Sequence, residues 1–149
     1  VKKIEKGAQN AEIHRAIYDT NSPSRLHLLG CALKNMEIIP EFHTAIIHLS
    51  QAELDQYNYK KGDTEGLVNY GLSIDGVEFA VIFIENAAEK MVKISFRSQG
   101  SFSVNEFARA HFNGGGHDNA AGGRGEDSLE NTIAYFKSIL PNYKNQLDK

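Results

Sequence analysis

A dense run of glycine constrains the fold of this chain more than any other feature of its sequence. Six of the thirteen glycines fall between Gly114 and Gly125, and Gly114–Gly116 are consecutive. Glycine adopts backbone conformations closed to other residues and leaves its N–H group open to approach. Successive N–H groups in a turn form an anion-binding concavity, and a helix beginning at residues 117–121 would add unpaired donors. The segment therefore predicts a phosphate or carboxylate site with His117 beside it.

The glycine run also has a purely structural interpretation. Glycine is favoured just past the end of a helix, so Gly114–Gly116 could simply end one. Nucleotide-binding motifs do not account for the run, because no Gly-Lys-Ser or Gly-Lys-Thr sequence follows it. A dinucleotide fingerprint would need glycine where Asn119 stands. An anion site and a helix-ending turn both remain open on the residues alone.

Hydrophobic periodicity predicts an α/β fold with a mixed sheet of about four or five strands covered by helices. Strands are expected at residues 44–49, 77–84 and 91–98, and the second is apolar enough to be central. In the third strand apolar and polar residues alternate, which places Arg97 on the less apolar face near the glycine run. Helices are expected at residues 4–19, 23–37, 50–59, 65–73, from about 103 to the glycine run, and from about 128 to 140.

Helix-capping residues support these boundaries. The patterns that predict helix starts are Ser22-Pro23, Ser50 with Glu53, Asp63 or Thr64, Ser103 with Glu106, and Asp127-Ser128. The helix at 23–37 carries an apolar stripe of Leu26, Leu29, Leu33 and Met36, for which the domain's own sheet is the expected partner. No strand is expected before Pro40, and His111 is expected to point toward the core.

Composition narrows the range of ligands and compartments. The net charge is −3 and the sequence pI is about 6.1, without the basic stripe that a protein gripping long nucleic acid shows. A ligand with one or two phosphates fits this charge better. Cys31 is the single cysteine, so the chain cannot form an internal disulfide. With no apolar run near ~18 residues and no signal peptide, a cytoplasmic location is expected.

Several segments resemble one protein family in order and spacing over roughly residues 40–125. The run Gly-Gly-Gly-His-Asp-Asn-Ala-Ala-Gly-Gly at 114–123 resembles the signature of the DHH-associated domain of DHH-family phosphoesterases. Residues 63–69, 92–98 and 104–109 resemble the nanoRNase and pAp-phosphatase branch of that family. Asn113 departs from the pattern, since glycine is expected there in a longer run.

This resemblance implies the substrate-binding half of a metal-dependent phosphoesterase. Such an enzyme would degrade very short RNA from the 3′ end and remove the 3′ phosphate from 3′-phosphoadenosine 5′-phosphate (pAp). Arg97 would grip a phosphate through its planar fork, although a surface ion pair is the alternative role. The implied substrate-binding residues are Arg97, Ser98, Gly114, Gly115, Gly116, His117 and Asn119, with Glu65, Asn69 and Asn105 as weaker candidates. His117 would orient substrate without itself being catalytic.

The catalytic half of such an enzyme is not recognisable here. Its divalent metals, expected to be manganese, are held by clustered Asp and His, whereas the sequence Asp-His-His does not occur in this chain. We therefore expect residues 1–39 to be a helical connector from a catalytic domain and residues 40–149 to be the DHH-associated domain. The chain alone is expected to bind without hydrolysing, with no metal of its own and with a homodimer expected for the full-length protein.

Two other functions fit the same resemblance. One is a cyclic- or linear-dinucleotide phosphodiesterase, whose glycine motif is similar. The other is a non-catalytic nucleic-acid-binding module like the related domain of alanyl-tRNA synthetases. The segments at 63–69 and 92–98 favour the nanoRNase branch over the binding module. Sequence does not separate pAp, short RNA and cyclic dinucleotides as ligands.

Overall fold

A six-stranded mixed sheet organises the chain, in the order β1-β2-β3-β4-β6-β5. The computed structural model describes residues 21–148, so the helix predicted at residues 4–19 lies outside the described residues. The strands are β1 (Glu37–Ile39), β2 (Thr44–Leu49), β3 (Phe79–Asn86), β4 (Met91–Ser98), β5 (Gly115–His117) and β6 (Ala120–Gly125). The α-helices are α1 (Pro23–Lys34), α2 (Gln51–Gln56), α3 (Val68–Leu72), α4 (Val104–His111), α5 (Leu129–Ile139) and α6 (Lys144–Leu147). Short 3-10 turns span Pro40–Phe42 and Leu140–Tyr143. The predicted α/β class is confirmed.

Strand β3 lies in the middle of the sheet, as its apolar sequence predicts. It pairs in parallel with β2 and antiparallel with β4, and its first five residues are buried. The other neighbours, β1 with β2, β4 with β6 and β5 with β6, are antiparallel. The strands predicted at 44–49 and 91–98 have those bounds.

Two sequence expectations about secondary structure are wrong, and a helix considered at residues 117–121 is not formed. Strand β1 precedes Pro40, where no strand was expected, and brings the strand count to six. A β-hairpin, not a helix, occupies residues 117–121, because glycine and alanine carry no alternation from which a strand is read. The helix expected at 65–73 is reduced to α3, because Gly66 takes a φ of 81° that is left-handed and non-helical.

The two faces of the sheet are covered unequally. One face carries an aromatic core under α4 and α5, in which Phe79, Phe96, Phe107 and Phe136 are fully or almost fully buried. The other face carries a smaller core under α1–α3, to which β2 and β3 contribute. In the described part of the chain no residue of β4 or β6 belongs to this second core. The β4–β6 half of the second face is therefore not part of this core, although α3 lies close to β4.

Helix α1 packs on the second face by a different edge from the one expected. Leu28 and Ala32 are fully buried against the sheet, while Leu26 and Leu33 are 49% and 40% exposed. Leu29 and Met36 are partly buried beside the core. The expected stripe is thus only half correct. Ala32, four residues after Leu28 and therefore on the same side of the helix, packs against the sheet where Leu33 was expected to do so.

Most of the expected caps are present. The Ser22 and Ser128 side chains accept from the third residue of their helices, and Ser50 with Glu53 forms a reciprocal capping box. Ser103 accepts from the Glu106 N–H, so only the forward half of its expected box is found. Asp63 and Thr64 do not cap α3, which begins without a side-chain cap.

Glu53 fastens α1 to the body of the domain. Its Oε2 accepts from the Asn35 amide at 2.7 Å and from the Cys31 thiol at 3.0 Å, and its Oε1 accepts from the Ser50 N–H at 2.9 Å. Burial raises the pKa of this carboxyl, but the Asn35, Ser50 and Cys31 hydrogen bonds outweigh burial and lower it to about 2. Burial together with the Glu53 contact raises the pKa of the Cys31 thiol to about 11. The Glu53 carboxylate is therefore ionised and links α1 to α2 through these hydrogen bonds; it is called the Glu53 hub below.

Replacing Glu53 with Gln should destabilise the domain by about 1–2 kcal/mol at pH 7, because the donors of Cys31 and Asn35 lose a charged acceptor. Urea unfolding measures the change, and Glu89→Gln at the exposed β3–β4 turn is the control for loss of one carboxylate. Unchanged stability of Glu53→Gln would contradict the role of the hub.

The contribution of Glu53 should also depend on pH. A carboxyl whose folded pKa lies below its unfolded value stabilises the fold above the unfolded pKa. That stabilisation is lost as the pH falls from about 4.5 through about 2. The difference in free energy of unfolding between wild type and Glu53→Gln should therefore shrink as the pH falls across this window. Between pH 6 and 8, where the Glu53 carboxyl stays ionised in both the folded and the unfolded chain, the difference should be constant.

Candidate functional site

The glycine run forms a tight hairpin at the edge of the sheet. Strands β5 and β6 are joined by Asp118 and Asn119, with His117 opposite Ala120 and Gly115 opposite Gly122. A Cβ on Gly114 would overlap the Gly122 carbonyl oxygen, and one on Gly116 would lie 2.7 Å from the Ala120 oxygen. Glycine is therefore required at these two positions by close backbone approach.

The N–H groups of this run are partly committed within the protein. Gly114 N–H donates to the Ala108 carbonyl at 3.2 Å, and Gly116 N–H donates to Asn105 Oδ1 at 2.9 Å. The concavity of free N–H groups expected here is thus not formed at Gly114 or Gly116.

Polar side chains hold the hairpin turn in place. Asn119 Nδ2 donates to Ser98 Oγ at 3.0 Å and to the Gly100 carbonyl at 3.2 Å. Ser103 Oγ donates to Asp118 Oδ1 at 2.9 Å, and the Ser98 hydroxyl donates to the Phe102 carbonyl at 2.6 Å. Ser98 is buried, and together with Asn105 and Asn119 it supports the hairpin structurally.

The sheet register brings Arg97 and His117 into one row. Arg97 on β4 lies opposite Ala120 on β6, which lies opposite His117 on β5. The register therefore places Arg97, Ala120 and His117 at neighbouring positions on three adjacent strands. Adjacent strands are ~4.8 Å apart, which puts the two Cα atoms about 10 Å apart. This spacing suits a small anion or nucleotide between the two side chains.

A cleft of about 500 Å³ opens beside this row on the half-covered face. Its floor is formed by β4 and β6, including Lys93, Ser95, Arg97 and Gly122, and its wall by the α2–α3 loop, residues 59–66. Three cationic side chains, Lys61, Lys93 and Arg97, line it against one carboxylate, Glu65. The cleft therefore favours an anion, although the chain has a net charge of −3.

The row and the cleft gather some of the expected residues and leave others aside. Arg97 and Glu65 line the cleft, whereas His117 is exposed and is not one of the residues that line it. Asn69 is exposed on α3 but does not line the cleft. Sequence reasoning missed Tyr59, Lys61, Lys93 and Ser95, although the alternation on β4 that singled out Arg97 also marks Lys93 and Ser95.

Arg97 and His117 are available to a ligand. Arg97 Nη1 donates to the carbonyl of Phe96 at 2.9 Å, and among residues 21–148 no carboxylate lies within ion-pair distance of its guanidinium. The surface ion pair considered for Arg97 is therefore not formed within that range. The His117 ring makes no hydrogen bond to other described residues.

His111, by contrast, belongs to the core, as expected. Its Nε2 lies 2.7 Å from the Tyr143 hydroxyl and its ring packs on Phe107 with centroids 5.2 Å apart. Burial lowers its pKa, which keeps the imidazole neutral at pH 7. His111 has a structural role.

Metal ligands are not grouped in the described part of the chain. Between residues 21 and 148 no three His, Cys, Asp or Glu side chains are placed to hold an ion. The described residues therefore offer no grouped ligands for the divalent metals that the family resemblance places in a catalytic domain. Within the same range, none of the helices has the length and apolarity needed to cross a membrane.

Comparison with known proteins places this geometry in a family. The model of the DHHA1 domain matches residues 42–142, which includes the cleft, the row and the hairpin. The chain is a member of the DHHA1 domain family. This is the DHH-associated domain of DHH phosphoesterases, so the resemblance in the sequence is confirmed.

Two further relatives are similar over most of the chain. The probable bifunctional oligoribonuclease and PAP phosphatase NrnA of Streptococcus mutans is 33% identical over 115 residues, covering 76% of this chain and 36% of that protein. The crystal structure of an exopolyphosphatase-related protein from Bacteroides fragilis is 40% identical with a TM-score of 0.89, covering 98% of this chain and 42% of that one. The chain thus spans about two fifths of these relatives.

A more distant structure shares the fold. The pGpG-specific phosphodiesterase PggH of Vibrio cholerae aligns with a TM-score of 0.57 at 12% identity, covering 83% of this chain and 40% of that one. At that identity the likeness shows the DHHA1-type fold alone.

Gly114→Ala should destabilise the domain by roughly 1–3 kcal/mol, because its Cβ would overlap the backbone of β6. Gly122→Ala is the matched control on the facing strand, since its Cβ would meet only the Ile94 oxygen at 3.6 Å. Thermal unfolding followed by circular dichroism compares the two variants. Equal stability would show that the hairpin does not need its close backbone approach.

Proposed function

We propose that this chain is the substrate-binding domain of a metal-dependent phosphoesterase that degrades very short RNA from the 3′ end and dephosphorylates pAp. Similarity to the oligoribonuclease and PAP phosphatase NrnA supports the substrate class. The observation that carries the proposal is the row Arg97–Ala120–His117 beside a cleft with three cations. Hydrolysis is assigned to a separate DHH domain of the full-length protein, which would supply manganese and pair as a homodimer.

Each side chain of the row has a distinct task. The Arg97 guanidinium donates one N–H to the Phe96 carbonyl, and its remaining N–H groups can bind a phosphate in bidentate geometry. The His117 imidazole offers one directed hydrogen bond to a second phosphate or to the ribose. Ala120 between them leaves room for the ligand to lie against the sheet. The row therefore orients a terminal nucleotide without taking part in bond breaking.

The hairpin supports this task by being rigid before the ligand arrives. Asn105 satisfies the outward N–H of Gly116, and Asn119 with Ser98 fixes the turn that follows His117. These bonds remove conformational freedom that a ligand would otherwise have to order. In the proposal, Ser98, Asn105 and Asn119 act through His117 and need not touch the ligand.

Arg97→Gln and His117→Ala should each weaken pAp binding by about tenfold or more, because each removes a hydrogen bond to a charged group worth ~1.5–3 kcal/mol. Isothermal titration calorimetry on the 149-residue chain measures this, with His27→Ala on α1 as the control. Melting temperatures should stay within a few degrees of wild type. A variant that melts much earlier while binding pAp as before would make its residue structural.

The chain alone should not hydrolyse pAp or a dinucleotide in the presence of manganese, because the described residues offer no metal site. Phosphate release and chromatography of the nucleotide products measure turnover. Metal-dependent turnover that persists through repeated purification would overturn the assignment of binding without hydrolysis.

A further inference from the structure

The α2–α3 loop, residues 59–66, borders two cavities. One is the cleft of about 500 Å³ over β4 and β6. The other, of about 330 Å³, is lined by loop residues together with Leu29 of α1 and Tyr70 of α3. Glu65 and Gly66 line both cavities. The loop therefore has room to change its position relative to the sheet.

The hydrogen bonds of this loop are local. The Asp63 N–H donates to the Lys60 carbonyl at 3.0 Å, and Asp63 Oδ2 accepts from the Lys60 N–H at 2.9 Å. The Glu65 N–H donates to the Gly62 carbonyl at 3.1 Å. In the part of the chain that the structure describes, none of the hydrogen bonds of residues 59–66 reaches β4 or β6, and none of these residues is buried. Segments of this kind open at the lowest free-energy cost in a fold.

The ends of the loop, by contrast, are fixed. Leu54 before it and Leu67 and Val68 after it are at most 5% exposed and belong to the second core. Gly62 and Gly66 have left-handed φ angles of 96° and 81°, and a Cβ added to either would meet no atom within 4 Å. Because glycine changes its backbone angles at low cost, these two positions suit the hinges of a loop with fixed ends.

The charges on the two sides of the cleft differ in how they can move. Lys61 lies on the loop, whereas Lys93 and Arg97 lie on strand β4, which forms the floor. Among residues 21–148 none of these three cations lies within ion-pair distance of a carboxylate. Like charges repel each other, and an anion placed between them attracts both. A phosphate bound at Arg97 therefore favours a position of the loop closer to β4.

We propose that the α2–α3 loop is a lid, which closes over the cleft when a phosphate ligand binds and attracts Lys61. This proposal rests on the proposed function, since pAp is the ligand that Arg97 and His117 hold. Closure slows release of the ligand, because the contact with Lys61 has to break before the ligand leaves. The strand residues then hold the ligand in position, and the loop determines how long it stays bound.

Hydrogen–deuterium exchange of the 149-residue chain, with and without saturating pAp, tests the lid. With pAp, the amides of residues 59–66 should exchange about tenfold more slowly, whereas those of the exposed β3–β4 turn at 87–90 keep their rates.

The variant Lys61→Gln, again at saturating pAp, should reduce this protection to about twofold or less, and pAp should dissociate from it about tenfold faster. Lys60→Gln is the matched control, since Lys60 lies on the same loop but does not line the cleft. It should behave as wild type.

The outcomes separate the lid from the proposed function. If Arg97→Gln weakens pAp binding while the loop amides of wild type exchange at the same rate with and without pAp, the lid is wrong and the proposed function stands. If the loop of Lys61→Gln is protected as well as that of wild type, closure does not depend on Lys61 and the proposal fails. If Arg97→Gln leaves pAp binding unchanged, the proposed function fails and the lid fails with it.

Discussion

The close approach of β5 to β6 is the contact on which the site depends. Side chains are excluded at Gly114 and Gly116 because their Cβ atoms would meet the backbone of β6. On the inner side, a Cβ on Gly123 would lie 2.9 Å from the Cβ of Phe112, so β6 is also pressed against the aromatic core. The hairpin is thereby fixed from both sides. As a result His117, the last residue of β5, lies at the same level of the sheet as Arg97.

The unequal covering of the two faces of the sheet leaves a cleft next to this hairpin. The aromatic face is covered by α4 and α5, whereas among the described residues the core under α1–α3 on the opposite face draws its strand residues from β2 and β3 only. A Cβ added to Gly71 would lie 3.2 Å from the Cβ of Ala45 and 3.3 Å from the Cβ of Ala80. Because Gly71 has no side chain, α3 can lie close to the sheet. The cleft forms where that cover stops. Its position therefore follows from the helices that make the core.

The sequence predicts the parts of this arrangement that depend on local patterns. Alternation on β4 places Arg97 on the open face, and Ser50 with Glu53 marks the start of α2. The hairpin was missed because glycine and alanine show no polar alternation, although Asp118-Asn119 between short segments is a turn signal. The cleft itself could not be predicted, since Lys61 and Lys93 line one cleft only when the α2–α3 loop folds back over β4. That contact spans more than one element and has no local signature.

The central claim is that a nucleotide lies on the open face across β4, β6 and β5. Backbone amide chemical shifts of the ¹⁵N-labelled chain, followed while pAp is titrated, test it most directly. The account predicts that the largest changes cluster at Arg97, His117, Ala120 and Gly122, with the helices of the aromatic face unaffected. Changes centred on the opposite face around Asn113 and Tyr135, or no changes at high pAp concentration, would contradict it.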